Sequence, residues 1–399
     1  MRRIAMIVLS HYPADPRVRR EAEELNRSGF AVDVICLRGT TETAVESFDH
    51  VTAYRIMPGT EKKESVLKYF RLSLLFAIKA FARLLRLSWQ RQYSVIQVHN
   101  MPDYLMFVGV VHKILGRPLI LDLHDLTPEL FASKWGAGKN AVFGPLVRLA
   151  EKSACRLADH LITTSSGFRN RLIARGVSPD KITLVLNAAD RHIFKARSPR
   201  QWPLITHGAR LLYHGTVAKR FGLHLAIAAV HELQTRMPGT QLHIYGKYDP
   251  TYRAELEEMI ARLKLENQVI LNGFLRQEDI VEVIENSDLG VVPYLSDPFM
   301  DLALSTKTFE YVGMGLPVVA SRLPSLTALF DETSLHYFAP GAAADLANKI
   351  AALCGNPQAR KEYADRAAVT YEKFSWPIMA ERYLALIKRL NGGNGQWTQ

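Results

Sequence analysis

Short apolar, β-branched runs alternate with amphipathic stretches along most of the chain. Strands that alternate with helices form parallel sheets covered by helices on both faces, and such sheets bind ligands at the carboxyl ends of their strands. The strands predicted in the first half are Ile4–Leu9, Val32–Leu37, Val51–Ile56, Val95–Val98, Leu119–Leu123, His160–Thr164 and Ile182–Leu186. Those predicted in the second half are Leu211–His214, Gln241–Tyr245, Val269–Leu271, Leu289–Val292 and Pro317–Ala320. The pattern predicts an α/β protein.

The length of 399 residues indicates more than one domain, because single cores stop growing near ~250 residues. Residues 196–209 contain two prolines and a glycine and show no helical or strand period, so a boundary is expected there. We therefore predict a first domain over 1–198, a second over 199–375 and a terminal helix over 376–392.

No apolar run approaches the ~18 residues that a membrane-spanning helix needs. The run Ile4–Leu9 is short for a signal peptide and predicts a buried first strand. Cys36, Cys155 and Cys354 are far apart and show neither metal-site nor disulfide spacing. These features together predict a cytoplasmic protein.

Charge is distributed unevenly between the two halves. Residues 1–200 contain 31 Lys and Arg against 18 Asp and Glu, a net charge of +13, whereas residues 201–399 carry −2. The first half is therefore expected to meet an anionic partner, which on charge alone could be nucleic acid, a phosphate-bearing substrate or a lipid surface.

The segment Asp301–Ser321 is the most informative part of the sequence. Ser305 or Thr306 can cap a helix whose first turn contains Lys307, and free amides at a helix start bind anions such as a diphosphate. Glu310, about one turn further, could accept hydrogen bonds from the vicinal hydroxyls of a ribose. The alternative is a capped surface helix with a solvated glutamate.

This segment is similar to the signature of glycosyltransferase family 4, in which a Glu-x7-Glu pair precedes a small-x-Gly-x-Pro-Val-Val-Ala-Ser strand. Other stretches resemble the family in the same order along the chain: 158–166, 181–190, His243–Gly246, Val269–Leu275, 287–294 and 374–383. The resemblance implies the GT-B architecture, with two Rossmann-like domains facing across a cleft and a C-terminal helix that crosses back to the first domain.

The resemblance also implies donor-binding residues. Glu310 carries over as the ribose ligand, but Leu302 stands where the family has its first, sugar-facing glutamate. The other positions expected to bind the donor are Thr216, Gly246, Phe274, Leu275, Ser305, Thr306 and Lys307.

The loop 213–223 follows one predicted strand and opens the next helix. A leaving diphosphate needs cations if no metal neutralises it. The family's usual Arg and Lys positions are Thr216 and Phe221 here, with Lys219 and Arg220 nearby. We predict Arg220 as the main phosphate ligand, because a guanidinium binds two oxygens at once, and Lys219 as its companion. The alternative is two solvated loop cations.

In the first half, polar residues follow predicted strands at the ligand edge of the sheet. The resemblance places His124 beside the donor sugar as a catalytic residue. Asp125, Glu129 and His99 are predicted to bind the acceptor, although His99 could merely cap its strand.

Two basic segments could also meet anions. Arg17, Arg19 and Arg20 lie in or near a first helical turn, where cations oppose the helix dipole, which suggests an acceptor phosphate or else a solvated basic face. In residues 62–92, Lys68, Arg71, Lys79, Arg83 and Arg86 share a sector of roughly 120°, opposite Leu67, Phe70, Leu74, Ile78, Phe81 and Leu85. This stretch is either a helix at a membrane surface or a core helix with a solvated basic face.

The sequence shows neither an Asp-x-Asp metal motif nor a P-loop or dinucleotide fingerprint. The resemblance implies a retaining glycosyltransferase that uses a UDP- or GDP-type sugar, and the absence of these motifs leads us to expect that it is metal-independent and without cofactors. The expected acceptor is a glycan or lipid-linked glycan in surface polysaccharide assembly. We expect no nucleic-acid partner, and a protein that is peripheral on the inner face of the membrane. The alternatives are a nucleotide-sugar epimerase of the same fold and a non-catalytic sugar-nucleotide-binding protein.

Overall fold

The computed structural model describes residues 1–59 and 66–392, apart from the side chains of residues 66, 135–137, 139 and 140. The chain divides into two compact units. Unit 1 comprises Met1–Leu186 and resumes at Pro377, and unit 2 comprises Asn187–Trp376. The sequence had placed these boundaries after residues 198 and 375.

Unit 1 is built on a sheet that, within the described residues, has eight strands in the order β3-β4-β2-β1-β5-β6-β7-β8. All neighbours are parallel except β3 and β4. The strands are β1 Arg3–His11, β2 Ala31–Arg38, β3 Val45–Phe48, β4 Val51–Pro58, β5 Tyr93–His99, β6 Leu119–Leu123, β7 His160–Thr163 and β8 Ile182–Leu184.

The helices of unit 1 connect these parallel strands. They are α1 Pro16–Arg27, α2 Val66–Ser88, α3 Val110–Ile114, α4 Thr127–Leu157 and α5 Ser166–Ala174, with a 3-10 helix over Asp103–Gly109. Asp15 caps α1 by accepting from the amides of Arg17 and Val18, and Pro16 takes the first helical position, as the sequence indicates.

Unit 2 has a parallel sheet in the order β11-β10-β9-β12-β13-β14. Its strands are β9 Arg210–His214, β10 Gln241–Tyr245, β11 Val269–Asn272, β12 Leu289–Val292, β13 Val318–Ser321 and β14 His336–Phe338. Its helices are α6 Leu223–Leu233, α7 Pro250–Leu263, α8 Gln277–Glu285, α9 Thr306–Gly313, α10 Pro324–Thr327, α11 Ala343–Cys354 and α12 Pro357–Glu372.

The last helix, α13 (Trp376–Asn391), returns to unit 1. The hydroxyl of Tyr383 donates to Gln97 Oε1 in the core strand β5 at 2.7 Å, and the amide of Leu186 lies 3.3 Å from Met379 Sδ. Tyr383 and Met379 are fully buried. The prediction that the terminal helix packs on the first domain is therefore confirmed.

Every strand predicted from the sequence is present, with ends within two residues of the prediction. Of the strands in the part of the chain that the structure describes, two were missed, β3 and β14. The side chains of β3 are mostly exposed, so it lacks the apolar run that reveals the others. None of the helices among the described residues combines the length and apolar character that crossing a bilayer requires.

Candidate functional site

The strand order of unit 2 reverses between β9 and β12, which are neighbours in the sheet but distant in the chain. Open parallel sheets bind ligands outside the carboxyl ends of their strands at such a point. The segments that leave these ends are the loop after His214, the loop after Tyr245 and the segment from Pro293 to α9. The predicted donor residues lie on or next to these segments.

The backbones of these loops approach one another closely enough to require glycine. A Cβ on Gly246 would lie 1.7 Å from the carbonyl oxygen of Gly215, and one on Gly222 would lie 1.9 Å from that of Pro293. Gly222 also has a φ of +66°, which favours glycine. No side chain fits between these loops at the two glycines, so the edge of the sheet presents backbone there.

Lys307, in the first turn of α9, points its ammonium group toward the β9 loop. The side chain is 6% exposed, and Nζ lies 3.4 Å from the position that a Cβ of Gly215 would take. Nζ donates to the hydroxyl of Tyr294 and lies 4.8 Å from the ring centroids of Tyr213 and Tyr294 and 5.3 Å from that of Phe221. These contacts are cation–π contacts.

Among the described residues, no carboxylate forms an ion pair with Lys307. Buried charges in proteins are normally paired with an opposite charge. The three rings and one hydroxyl can hold a cation but leave its charge uncompensated. Lys307 is therefore placed to receive an anion that comes from outside the protein.

Arg220 is the second cation of this cluster. Its guanidinium carbon lies 5.2 Å from the ring centroid of Phe221 and 5.9 Å from that of Phe299, and its buried Nε has no hydrogen-bond partner in the described part of the chain. Lys219 points elsewhere: its side chain is 71% exposed, and its Nζ lies 3.3 Å from Glu255. The geometry therefore separates two neighbours that the sequence treated as a pair.

The start of α9 adds backbone donors beside these cations. Ser305 is the cap residue, but its side chain accepts no capping hydrogen bond and instead lies 3.1 Å from the hydroxyl of Tyr294. Within residues 1–59 and 66–392, the amides of Ser305, Thr306 and Lys307 have no hydrogen-bond acceptor. Free amides at a helix start bind anions, so they extend the site that the two cations begin.

Glu310 is buried on the same helix, one turn beyond Lys307. Its Oε2 lies 3.1 Å from Nε2 of His214, the last residue of β9, without the alignment of a hydrogen bond. The next residue, Tyr311, fixes the helix against the sheet: the amide of His214 donates to its hydroxyl, and a Cβ on Gly290 would collide with its ring. A carboxylate held this way keeps acceptor capacity for a ligand hydroxyl.

The other predicted donor residues are more peripheral. Thr216 is exposed, and its carbonyl accepts from the hydroxyl of Tyr213 at 2.6 Å. Phe274 is 59% exposed with the ammonium of Lys247 4.9 Å from its ring, and Leu275 is half-buried. Asp301, which neighbours the Leu302 position, accepts from the hydroxyl of Ser296. The contacts of these residues do not test whether they bind the donor, so their donor-binding roles stay predictions.

In unit 1, His124 follows β6 at the carboxyl edge of the sheet. Its amide donates to Asn100 Oδ1 at 3.2 Å, and its carbonyl accepts from the hydroxyl of Thr164 at 3.0 Å. Its ring Nδ1 is buried without a hydrogen-bond partner among the described residues. The neighbouring strand ends thus fix the backbone of His124, while its buried Nδ1 is unpartnered among the described residues.

The support under His124 is a buried carboxyl group, which the sequence did not reveal. Asp103 accepts from Asn100 at 3.0 Å and from Thr127 at 2.8 Å, and Asn100 also donates to the carbonyl of Asp125 at 2.6 Å. Burial raises the pKa of Asp103 to about 6, although both hydrogen bonds act in the opposite direction. The half-buried Asp125 is thereby held through its backbone.

Arg17 is not at the surface, contrary to its prediction as an acceptor ligand. Its Nε and Nη2 each lie 2.7 Å from Asp122, and Nη1 donates to the carbonyl of Val185. Burial alone would raise the pKa of Asp122, but Arg17 and His99 hold it well below its usual range. His99 is fully buried, with Nδ1 2.9 Å from Asp122, so it does not line an open cleft. Both residues serve the core of unit 1.

The remaining acceptor candidates also have protein partners. Arg20 is buried, and its Nε donates to the carbonyl of Pro16, while Arg19 pairs with Glu23. Glu129 is buried against Arg175 and Arg171, because α4 and α5 bring these side chains together. A glutamate already paired with guanidinium groups is poorly placed to bind the acceptor substrate, so the geometry favours a structural role for Glu129.

One buried group of side chains in the described residues has the composition of a metal site. Glu21, His99 and Asp122 offer ligand atoms within 4.8 Å of one another. The guanidinium of Arg17, however, lies 3.3 Å from Glu21 and 2.7 Å from Asp122. A dication in this group would face a fixed positive charge, so these residues do not fit a metal.

Two family models match most of the chain. The model described as "Glycosyl transferase 4-like domain" matches residues 14–188, and "Glycosyl transferases group 1" matches residues 208–356. The glycogen synthase of Mycobacterium tuberculosis is 28% identical over 312 residues, which cover 76% of this chain and 71% of that protein.

Solved structures show the same fold. Sucrose-phosphate synthase from Thermosynechococcus elongatus matches with a TM-score of 0.79 at 19% identity, covering 99% of this chain and 100% of that one. The Anabaena protein HepE in complex with UDP-glucose matches with a TM-score of 0.70 at 18% identity, covering 97% and 100%. The family matches show that the protein is a glycosyltransferase, and the solved structures show that it has the GT-B fold. Its two matched domains show that the chain belongs to glycosyltransferase family 4.

Sequence reasoning missed several residues of the unit 2 cluster. His214, Tyr213 and Tyr294 were quoted within longer motifs but not singled out, because a histidine or tyrosine at a strand end is more often structural. The roles of His214 and Tyr213 depend on α9 lying against β9, which brings together residues about 95 positions apart, whereas Tyr294 contacts Lys307 from 13 positions away.

Proposed function

We propose that the protein transfers a hexosyl group from a UDP- or GDP-sugar to an acceptor hydroxyl, with retention of configuration and without a metal ion. The observation that carries this proposal is the buried ammonium of Lys307, which has ring and hydroxyl contacts but no carboxylate partner among the described residues. A diphosphate supplies the missing negative charge. Binding of UDP-glucose by HepE supports a nucleotide-sugar donor.

The diphosphate would bind Lys307, Arg220 and the free amides at the start of α9. Glu310, whose Oε2 lies 3.1 Å from Nε2 of His214, would accept hydrogen bonds from the ribose. The cations do the work that a divalent ion would otherwise do, because fixed positive charge in a water-poor site stabilises a leaving diphosphate. This arrangement supports metal independence.

Retention is what the resemblance to family 4 implies, and without an enzymic nucleophile it requires attack from the leaving-group face. Leu302 stands where the family has its first glutamate, so this position supplies no carboxylate nucleophile. The acceptor oxygen would attack the anomeric carbon from the leaving-group face while the bond to the phosphate oxygen breaks. The acceptor proton would pass to the departing phosphate oxygen, which becomes more basic as the bond breaks. His124 stays a predicted catalytic residue, and the buried Nδ1 of its ring, which has no hydrogen-bond partner among the described residues, supports this role.

We propose further that the acceptor is a glycan or lipid-linked glycan of surface polysaccharide assembly. The protein would then work peripherally on the inner face of the membrane. The net charge of +13 in residues 1–200 supports this location, as do the five cations of α2. Each cation near an anionic bilayer contributes about 1 kcal/mol.

Calorimetric titration with UDP, GDP, CDP and ADP in EDTA tests the donor part of the proposal. We expect one uracil or guanine nucleotide to bind tightly in the absence of metal. Glu310→Gln should weaken this binding, and Lys361→Met, which changes an exposed lysine of unit 2, should not. Binding that requires an added divalent ion would contradict metal independence, and equal, weak binding of all four would contradict a nucleotide site.

A further inference from the structure

Helix α2 has three faces, and only one of them is buried. At about 100° per residue, the buried face, the exposed apolar face and the basic face follow one another around the helix. The buried face comprises Ser73, Phe76, Ala80, Leu84 and Leu87, and the exposed apolar face comprises Leu67, Phe70, Leu74 and Ile78. The sequence offered a core helix as one alternative for α2, but the structure leaves much of the predicted core stripe open to solvent.

The exposed apolar face continues into a groove. A cavity of about 410 Å³ lies between α2 and the 3-10 helix over Asp103–Gly109, and its surface is almost entirely apolar. Its walls include Phe70, Leu74, Ile78, Phe81, Tyr104 and Phe107. Ile78 is 60% and Phe107 44% exposed, so the groove opens to the outside.

The chemistry around the groove identifies its occupant. The described part of α2 contains five Lys and Arg and no acidic residue, and the cations follow directly after the apolar face around the helix. Trp89, just beyond the end of α2, is 92% exposed, and tryptophan is enriched where proteins meet the membrane interface. An apolar strip flanked by cations fits a surface that has hydrocarbon below and negative charge above.

We propose that the apolar face of α2 and the adjoining groove bind the hydrocarbon chains of anionic membrane lipids, while the basic face of α2 contacts their phosphates. This inference rests on the membrane association proposed above and deepens it: α2 enters the bilayer interface rather than remaining above it. Lipid binding by α2 would not depend on the donor site.

Other occupants have less support. Residues 60–65 read Thr-Glu-Lys-Lys-Glu-Ser and offer no apolar side chain for the groove. A second copy of this chain would bring five cations against five cations, so charge opposes a symmetric dimer through α2. Lipid phosphates are negatively charged, so they would attract the five cations instead of repelling them.

The test attaches a fluorophore to a single new cysteine on the surface. The three native cysteines are all buried, so the new cysteine is the one that a thiol-reactive label reaches. In the Ile78→Cys variant, an environment-sensitive fluorophore is attached to the new thiol on the apolar face of α2. Val369→Cys, on α12 of unit 2, is the matched control at a similarly exposed apolar position. The full-length protein is mixed with phosphatidylglycerol–phosphatidylcholine vesicles that carry nitroxides on their acyl chains.

We expect the emission maximum of the label at position 78 to shift to shorter wavelength when vesicles are added. The acyl-chain nitroxides should quench at least half of its emission. The label at position 369 should do neither. A label at 78 that remains in water while the protein sediments with vesicles overturns the inference and leaves a purely electrostatic association. Failure to sediment with any vesicle also overturns it, and it removes the proposed membrane location as well.

A second variant separates insertion from charge. Phe70→Ser/Leu74→Ser/Ile78→Ser should lower vesicle binding at least tenfold in 0.5 M salt, where electrostatic attraction is screened. Its circular dichroism and nucleotide binding should match those of the wild type, because these side chains are exposed in unit 1. Unchanged vesicle binding would overturn the inference, and so would a wild-type dimer in light scattering that the substitutions dissociate. Nucleotide binding that fails in both proteins would count against the donor site alone.

Discussion

Replacing Lys307 with Met removes the ammonium group and keeps the length and apolar stem of the side chain. The cation has no carboxylate partner among the described residues, and three aromatic rings surround it. At 4 Å and an effective dielectric of ~20, two unit charges interact by about 4 kcal/mol. Allowing for residual solvent, we expect the Lys307→Met substitution to cost about 3 kcal/mol of diphosphate binding, which is on the order of a hundredfold in affinity.

This loss has a defined signature in ligand-induced stabilisation. A nucleotide at ~100 times its dissociation constant stabilises the wild type by about 2.7 kcal/mol. After a hundredfold loss of affinity, the same concentration stabilises the variant by only about 0.4 kcal/mol. Without ligand, the free energy of unfolding should differ by less than about 1 kcal/mol, because the rings accommodate a thioether as well as a cation.

The assay is urea unfolding followed by tryptophan fluorescence, with and without the nucleotide that binds best. Lys361→Met is the control, because Lys361 is exposed and pairs with Asp365 on the same helix. Equal ligand-induced stabilisation of wild type and Lys307→Met would refute the reasoning, and so would a variant that is several kcal/mol less stable without ligand. The second result would give Lys307 a structural role.

Three further predictions follow from other contacts. Glu310→Gln should weaken donor binding by about 1.5–3 kcal/mol in calorimetry, because a charged acceptor for the ribose is lost; unchanged affinity would remove Glu310 from the site. Arg220→Ala should lower kcat more than donor binding, whereas Lys219→Ala should change kcat less than twofold, since Lys219 is exposed and paired; the reverse order would exchange their roles. Asp103 contributes stability that is present below pH 3.8 and is lost as the pH rises through about 6, so the free energy of unfolding of the wild type relative to Asp103→Asn should fall by about 2 kcal/mol from pH 4 to 7. A difference independent of pH would contradict the raised pKa.

The sequence predicted the architecture because parallel strands buried on both faces carry a strong local signal. The runs Leu119–Leu123, Gln241–Tyr245 and Leu289–Val292 match their strands residue for residue. The antiparallel edge strand Val45–Phe48 gives no such signal, since its side chains are mostly exposed and polar or small. Apolar periodicity reports burial, and an edge strand is hardly buried.

The candidate site was predictable only in part. Local motifs were sufficient to predict donor-binding roles for Lys307 and Glu310, because both lie near the start of one helix, and these roles stay predictions. Arg17 was misjudged because its partner, Asp122, is more than a hundred residues away, and only the packing of α1 on β6 reveals the pair. His214 was overlooked for the same reason, since its contact with Glu310 exists only in the tertiary structure.

The central claim is that a nucleoside diphosphate sugar donates its sugar at unit 2 without a metal and with retention. The most direct test follows the reaction by proton NMR in excess EDTA. The substrates are glycan acceptors and a nucleotide sugar that carries the best-binding nucleotide. The account predicts a product whose new anomeric proton keeps the configuration of the donor, formed in step with the free nucleoside diphosphate. An inverted product, or transfer that stops on chelation and returns with a divalent ion, would contradict it.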